Sequence, residues 1–148
     1  MASPGTPTLI SPSNNSTVVG NVINFVFTVP SDADSDTLVF RLELDRVSPP
    51  TTSSSYYKIC ESRLAGDLKT NGNWQVKDSG GNYIQMPTAG ITSSFYGREA
   101  KVSIRKQDTT CYPDSENVWY WRISAGDGMQ HPVVFNRAIF AQAIFGVT

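Results

Sequence analysis

Polar and apolar positions alternate with a period of two through much of this chain. The clearest run is Asn117–Gly128, which reads Asn-Val-Trp-Tyr-Trp-Arg-Ile-Ser-Ala-Gly-Asp-Gly. Trp119, Trp121, Ile123 and Ala125 fall on one side of an extended segment and Tyr120, Arg122 and Ser124 on the other, as a half-buried strand requires. Aromatic and β-branched side chains favour that pleated geometry. Gly126-Asp127-Gly128 is expected to end the strand with residues that tolerate positive φ. Two inward indoles, each able to bury on the order of 200 Å², make this segment the centre of the expected core.

The same period recurs upstream. Thr8–Ser11, halted by Pro12, predicts a short edge strand, and Ser13-Asn14-Asn15-Ser16 a turn of side chains that bond their own backbone. Asn21–Val29 sets Ile23, Phe25, Phe27 and Val29 against Val22, Asn24, Val26 and Thr28, and Pro30 closes it. Thr37–Arg46 sets Leu38, Phe40, Leu42 and Leu44 against Val39, Arg41, Glu43 and Asp45, and this polar side is expected to face solvent. Residues 48–55, Ser-Pro-Pro-Thr-Thr-Ser-Ser-Ser, predict a mobile loop that buries nothing. Short strands are expected at Tyr56–Cys60 and at Trp74–Lys77, the second turning through Asp78–Asn82 into Tyr83–Met86. Lys101–Lys106, with Val102 and Ile104 inward, is a further strand. Val133–Val147 lacks strong helix formers and a 3.6-residue period, so it reads as one long or bulged last strand.

Composition narrows the class. A chain of 148 residues suits one domain, and its Ser, Thr, Asn, Gly and Pro content favours strands joined by turns. The expected organisation is an extended arm over residues 1–8 and a single sandwich over 9–148, with 48–99 as inserted loop and hairpins. A net charge of −1 lacks the basic footprint of a nucleic-acid binder. No stretch approaches the roughly 20 apolar residues of a membrane span. The first residues carry no basic and apolar export signal, so synthesis in a cytoplasm is expected. Cys60 and Cys111 form no Cys-x-x-Cys unit, which argues against zinc. They read as two separate thiols, with a single cross-link as the alternative in an oxidising medium.

Ser11-Pro12, the Asp-x-Asp-x-Asp run Asp32 to Asp36, Tyr120-Trp121-Arg122 and Asp127-Gly128 together resemble the fibronectin type III and immunoglobulin-like modules of bacterial surface proteins and tailed phages. The resemblance covers both ends of the chain and leaves out roughly Ser48–Glu99. It implies an all-β fold, an immunoglobulin-like (fibronectin type III-like) antiparallel β-sandwich. Thr37–Arg46 would stand at strand position C and Lys101–Lys106 at position E, with the insertion between them.

Candidate chemistry is sparse. Asp32, Asp34 and Asp36 alternate, and Glu43 is twelfth counting from Asp32, but Thr37 stands where an EF-hand needs glycine and Glu43 lies in a predicted strand. In the resembled sandwich the loop after Val29 and the end of the Trp119 strand share one end. That would bring Asp127 to the Asp32–Asp36 cluster as calcium ligands, against the plainer reading of a solvated acidic turn. No other cofactor is expected. His131 sits in a Gln-His-Pro turn tied to no nucleophile pattern, and acid pairs can be chosen at will from 13 acidic residues, so no enzyme is expected. Trp74 and Tyr83 are candidates for stacking on sugar rings, or else they fill a satellite core.

The leading expectation is a non-enzymatic structural protein of a tailed-phage virion, such as a capsid decoration or other surface-displayed protein. The resembled modules work outside cells, whereas this chain begins at Met1 without an export signal, and virion proteins reach the outside by assembly and lysis. Expected partners are capsid or other virion proteins and further copies of the chain, docked through Ala2–Thr8 and Val133–Val147. Neither nucleic acid nor membrane insertion is expected. The alternative is a carbohydrate- or cell-surface-binding module of a secreted adhesin or enzyme, calcium-assisted and extracellular, whose partner would be a host-surface glycan.

Overall fold

The computed structural model describes residues 4–13, 16–18, 22–32, 35, 37–47, 50–62, 73–87, 89–106, 111–113, 117–127, 135–137 and 141–145. Among these residues the strands are β1 (Thr8–Ser11), β2 (Ser16–Val18), β3 (Val22–Thr28), β4 (Leu38–Asp45), β5 (Lys58–Glu61), β6 (Asn73–Lys77), β7 (Tyr83–Gln85), β8 (Glu99–Arg105), β9 (Asn117–Asp127), β10 (Phe135–Arg137) and β11 (Ala141–Phe145). One short 3₁₀ turn, Ser93–Phe95, precedes β8.

Two sheets face each other. The first runs β1-β3-β8-β6-β7, and the second β2-β11-β9-β4-β5 with β10 also on β9. Neighbours are antiparallel except β2 and β11, which run parallel. The first strand region is split between sheets: β1 pairs β3 on one and β2 pairs β11 on the other. The fold is an immunoglobulin-like β-sandwich, in which β3 and β8 pair across one sheet and β4 and β9 across the other.

The inward faces carry the period-two positions. Ile23, Phe25 and Phe27 of β3, Leu38, Phe40, Leu42 and Leu44 of β4, and Trp119, Trp121, Ile123 and Ala125 of β9 are all buried. Phe25 meets Trp121 edge-on with ring centroids 5.0 Å apart, and Phe27 lies 5.1 Å from Phe40. Aromatic pairs at this spacing add to the transfer free energy of the area they bury. A tight approach closes one end. Leu38 and Ile91 exchange both backbone hydrogen bonds at 2.9 Å. Gly90, at φ +107°, passes so close that a Cβ would lie 2.7 Å from the Leu38 carbonyl oxygen, so only glycine fits there.

The last strand region follows β9 in two pieces. Arg137 opposes Ser124 and Ala141 opposes Trp121, so four steps on one chain match three on the other, a one-residue register shift of the kind a bulge makes. The stretch expected as an insertion supplies β5 to the second sheet and the β6–β7 hairpin to the first. The hairpin turn is the expected one, with the Asp78 N–H donating to the Asn82 carbonyl at 2.8 Å.

Three expectations are corrected. The side of β4 bearing Val39, Glu43 and Asp45 is buried, not solvent-facing, because residues 50–57 fold back across it. Within the low-complexity segment Pro50 is buried and Thr51 and Ser54 are half-buried, because Asp45 and Arg122 supply partners for their polar atoms. Ser16, expected in a turn, opens β2. Residues 4–7 of the arm lie along the domain: Pro4 and Pro7 are buried, and the Gly5 N–H donates to the Ser31 carbonyl at 2.9 Å.

Candidate functional site

The outer faces of the two sheets differ, and the difference locates the accessible surface. On the second sheet, outward residues of β4, β5 and β9 form a closed polar layer. Arg122 donates from Nε to Glu43 Oε1 at 3.0 Å and from Nη2 to Glu43 Oε2 at 3.4 Å, and Nη2 also reaches the Pro50 carbonyl at 3.0 Å. The Tyr57 hydroxyl donates to Glu43 Oε2 at 2.5 Å. One strand away, Arg41 pairs with the buried Glu61, Nε to Oε2 at 2.8 Å. Asp45 Oδ2 accepts from the Thr51 N–H at 3.0 Å, and Oδ1 accepts from Ser54 Oγ at 2.7 Å and the Val47 N–H at 3.3 Å.

These side chains are fixed by one another. Charges taken out of water need partners in good geometry, and the forked contact of Arg122 with Glu43 provides them. Glu43 and Asp45 are fully buried and Arg122 is 6% exposed, so no substrate reaches them. The layer works as a clasp that holds residues 50–57 against the sheet. Among the described residues, buried Ser124 Oγ and Trp121 Nε1 have no hydrogen-bond partner, but neither opens to a surface.

The outer face of the first sheet is open. Asn24, Asn73, Gln85 and Arg105 are exposed, while Gln75, Lys77, Tyr83 and Lys101 are half-buried. Register places Asn24 and Asn73 on either side of Ser103, and Gln75 between Lys101 and Gln85. Ser103 Oγ donates to Asn24 Oδ1 at 2.6 Å. At the β7 edge the Tyr83 hydroxyl donates to Glu99 Oε2 at 2.5 Å, and Lys77 Nζ lies 3.0 Å from the same oxygen. Lys101 Nζ sits 4.3 Å from the Tyr83 ring centroid and Lys77 Nζ 5.4 Å, within cation–π range. Burial, then the Glu99 hydrogen bond and charge, push the Tyr83 phenol up to about 12. The hydrogen bonds from Tyr83 and Lys77 hold the Glu99 carboxyl below its ordinary value.

Of the residues singled out in the sequence, Tyr83 stands on this open face and Trp74 does not. Trp74 is 3% exposed and meets Phe27 edge-on at 6.4 Å, so its ring belongs to the core and offers no face to a sugar. β4 and β9 pair Leu38 with Asp127, which sets the end of β9 beside the start of β4, and Asp32 ahead of β4 is buried. Asp34, Asp36 and His131 lie outside the described residues. Among the described residues no three His, Cys, Asp or Glu side chains gather as a metal-binding group. Cys60 and Cys111 are joined in a disulfide, with Cα atoms 5.7 Å apart, the cross-link that stood as the alternative to two separate thiols. The clasp was missed. Its signal was present as alternating charges of opposite sign, Arg41, Glu43 and Asp45 on one predicted strand and Arg122 on another.

No protein-family model matches this chain, and no curated protein matches it. Among solved structures, the crystal structure of AggA, the major subunit of aggregative adherence fimbriae type I (AAF/I) from Escherichia coli, is similar over 97% of each chain, at 13% sequence identity and a TM-score of 0.32. A likeness at that score carries no argument, and the fold assignment rests on the strand order and register above.

Proposed function

We propose that this protein is a non-enzymatic structural or display module that acts through its surface, as a capsid decoration or other exposed protein of a tailed-phage virion. The observation that carries the reading is the contrast between the two outer faces. Glu43, Asp45 and Arg122 are closed off in the clasp, and the accessible asset among the described residues is the open sheet face. The motif resemblance to phage and bacterial surface modules supports the setting. The Cys60–Cys111 disulfide supports work in an oxidising exterior.

Particles purified from a lysate of the organism that encodes the chain provide the test, by mass spectrometry and immunogold labelling. The protein is expected on intact particles in many copies, and to form a discrete oligomer by light scattering. A monomer found only in the particle-free fraction overturns the reading.

A second reading, a carbohydrate- or cell-surface-binding module, draws support from Tyr83 on the open face beside Lys77 and Lys101. Calcium assistance through Asp32, Asp34, Asp36 and Asp127 belongs to this reading. It predicts a gain in thermal stability with calcium that chelator reverses, and no such gain removes the metal from the proposal.

A further inference from the structure

The first sheet ends in an unguarded edge. β7 is its last strand, and among the described residues no strand pairs with the side away from β6. Hydrogen-bonded and non-hydrogen-bonded pairs alternate along an antiparallel ladder. The Asp78 N–H donates to the Asn82 carbonyl at 2.8 Å and the Met86 N–H to the Trp74 carbonyl at 2.9 Å, so Asn82 and Met86 are hydrogen-bonded positions on either side of β7. Val76 is opposite Ile84 between them. Ile84 therefore directs its N–H and carbonyl to β6, and Tyr83 and Gln85 direct theirs outward.

Open edges are normally blunted by charge, proline or a bulge. β1, at the other end of the same sheet, lies between Pro7 and Pro12 and shifts register between Leu9 and Ser11. β5, at an edge of the second sheet, carries Lys58 and Glu61. β7 reads Tyr-Ile-Gln in unbroken register, with neither charge nor proline. Ile84 faces the core side of the sheet opposite fully buried Val76, yet it is 39% exposed. One further strand would cover Ile84 and take up the outward backbone groups.

The strand that fits is β7 of a second copy. A two-fold axis at Ile84 sets Ile84 against Ile84 as a non-hydrogen-bonded pair, and Tyr83 against Gln85 on both sides as hydrogen-bonded pairs, the alternation that the ladder requires. All the outward groups of both strands are then used, and each isoleucine covers the other. No charge crosses the axis. The nearest charges are answered within each copy, Lys77 by Glu99 and Asp78 by the Gly80 and Asn82 N–H groups, so identical edges meet without opposed like charges.

We propose that β7 joins two copies of this chain edge to edge, antiparallel about a two-fold axis at Ile84, so that their five-stranded sheets become one continuous sheet. The proposal rests on the reading of the chain as a multi-copy display module and names one of its self-contacts. Three residues a side make a small contact, which a crowded array of copies would strengthen.

The test is sedimentation velocity of the full chain at concentrations up to about 1 mM, where weak dimers form. A dimer whose share rises with concentration is expected. Gln85→Pro removes an outward donor from each copy and no bond to β6, and is expected to weaken association at least about tenfold. Ile84→Lys should abolish it. Ile10→Lys, at an exposed position on the far edge, should leave it unchanged. Ile84→Cys is expected to cross-link two copies under mild oxidation, because the paired Cα atoms meet at about 4.5 Å. Gln85→Cys, about 8 Å from its counterpart, should not cross-link. Circular dichroism checks folding, and the two cysteine variants decide the register whatever Ile84→Lys does to stability. A monomer throughout that range overturns the contact and leaves the display reading to its own test on particles. Association untouched by Gln85→Pro and Ile84→Lys, or lost equally with Ile10→Lys, overturns the site while multi-copy assembly stands. Faster cross-linking through Gln85→Cys than through Ile84→Cys overturns the register and with it the proposal.

Discussion

At the scale of single residues, the pair Glu43–Arg122 makes the sharpest statement about stability. Both side chains are buried, and each is the other's charge partner. Glu43→Ala strands a buried guanidinium, and the expected cost is about 3–5 kcal/mol in urea unfolding. Replacing both, as Glu43→Leu with Arg122→Met, removes the uncompensated charge and is expected to lie within about 2 kcal/mol of the parent. Additive losses in the two single variants and the double would show that the pair is not coupled. Nothing local distinguishes Glu43 from any outward acid on a strand. Its partner lies 79 positions away, so its burial was not legible in the flanking sequence.

At the scale of elements, β6, β7 and β8 are tied on the open face by Lys77, Tyr83 and Glu99. The tie predicts a loss of stability at both ends of the pH range. Tyr83 keeps its proton in the folded state up to about 12, whereas an unfolded tyrosine loses it near 10. The folded protein therefore binds more protons in that window, and stability falls as pH rises from about 10 to 12. Glu99 acts at the other end: its lowered carboxyl contributes stability above the ordinary carboxylate range, lost as pH falls through its depressed value. Absorbance titration of the tyrosines is expected to show late phenols at Tyr83 and, through its burial, at Tyr112, and Tyr83→Phe assigns the first. Glu99→Gln should bring the Tyr83 phenol down while burial keeps it above 10. A Tyr83 phenol unmoved by Glu99→Gln would separate it from this contact. The β6–β7 hairpin itself was readable, because Asp78-Ser79-Gly80-Gly81-Asn82 is a turn by its own chemistry. The three-residue β2 was not, since its pairing with β11 comes from a segment more than a hundred positions later.

At the scale of the whole molecule, the Cys60–Cys111 disulfide joins the end of β5 to the segment before β9 across 51 positions. Closing a loop of that length restricts the unfolded chain, and Cys60→Ser with Cys111→Ser is expected to lower stability by about 4 kcal/mol. Non-reducing peptide mapping together with urea unfolding of the two forms checks it, and identical curves would remove the bridge from the account. The sequence by itself determined the all-β class, the inward faces of β3, β4, β8 and β9 and the two-indole core. Period-two alternation is a local property of the chain, and burial of one face rewards it directly. Only the tertiary structure decided which outer face stays open, that Trp74 goes inward while Tyr83 stays out, that Cys60 finds Cys111, and that residues 50–57 are clasped rather than free. Alternation says that a strand has two sides and not what covers the second one. That depends on contacts between residues tens of positions apart, whose closure no local pattern records.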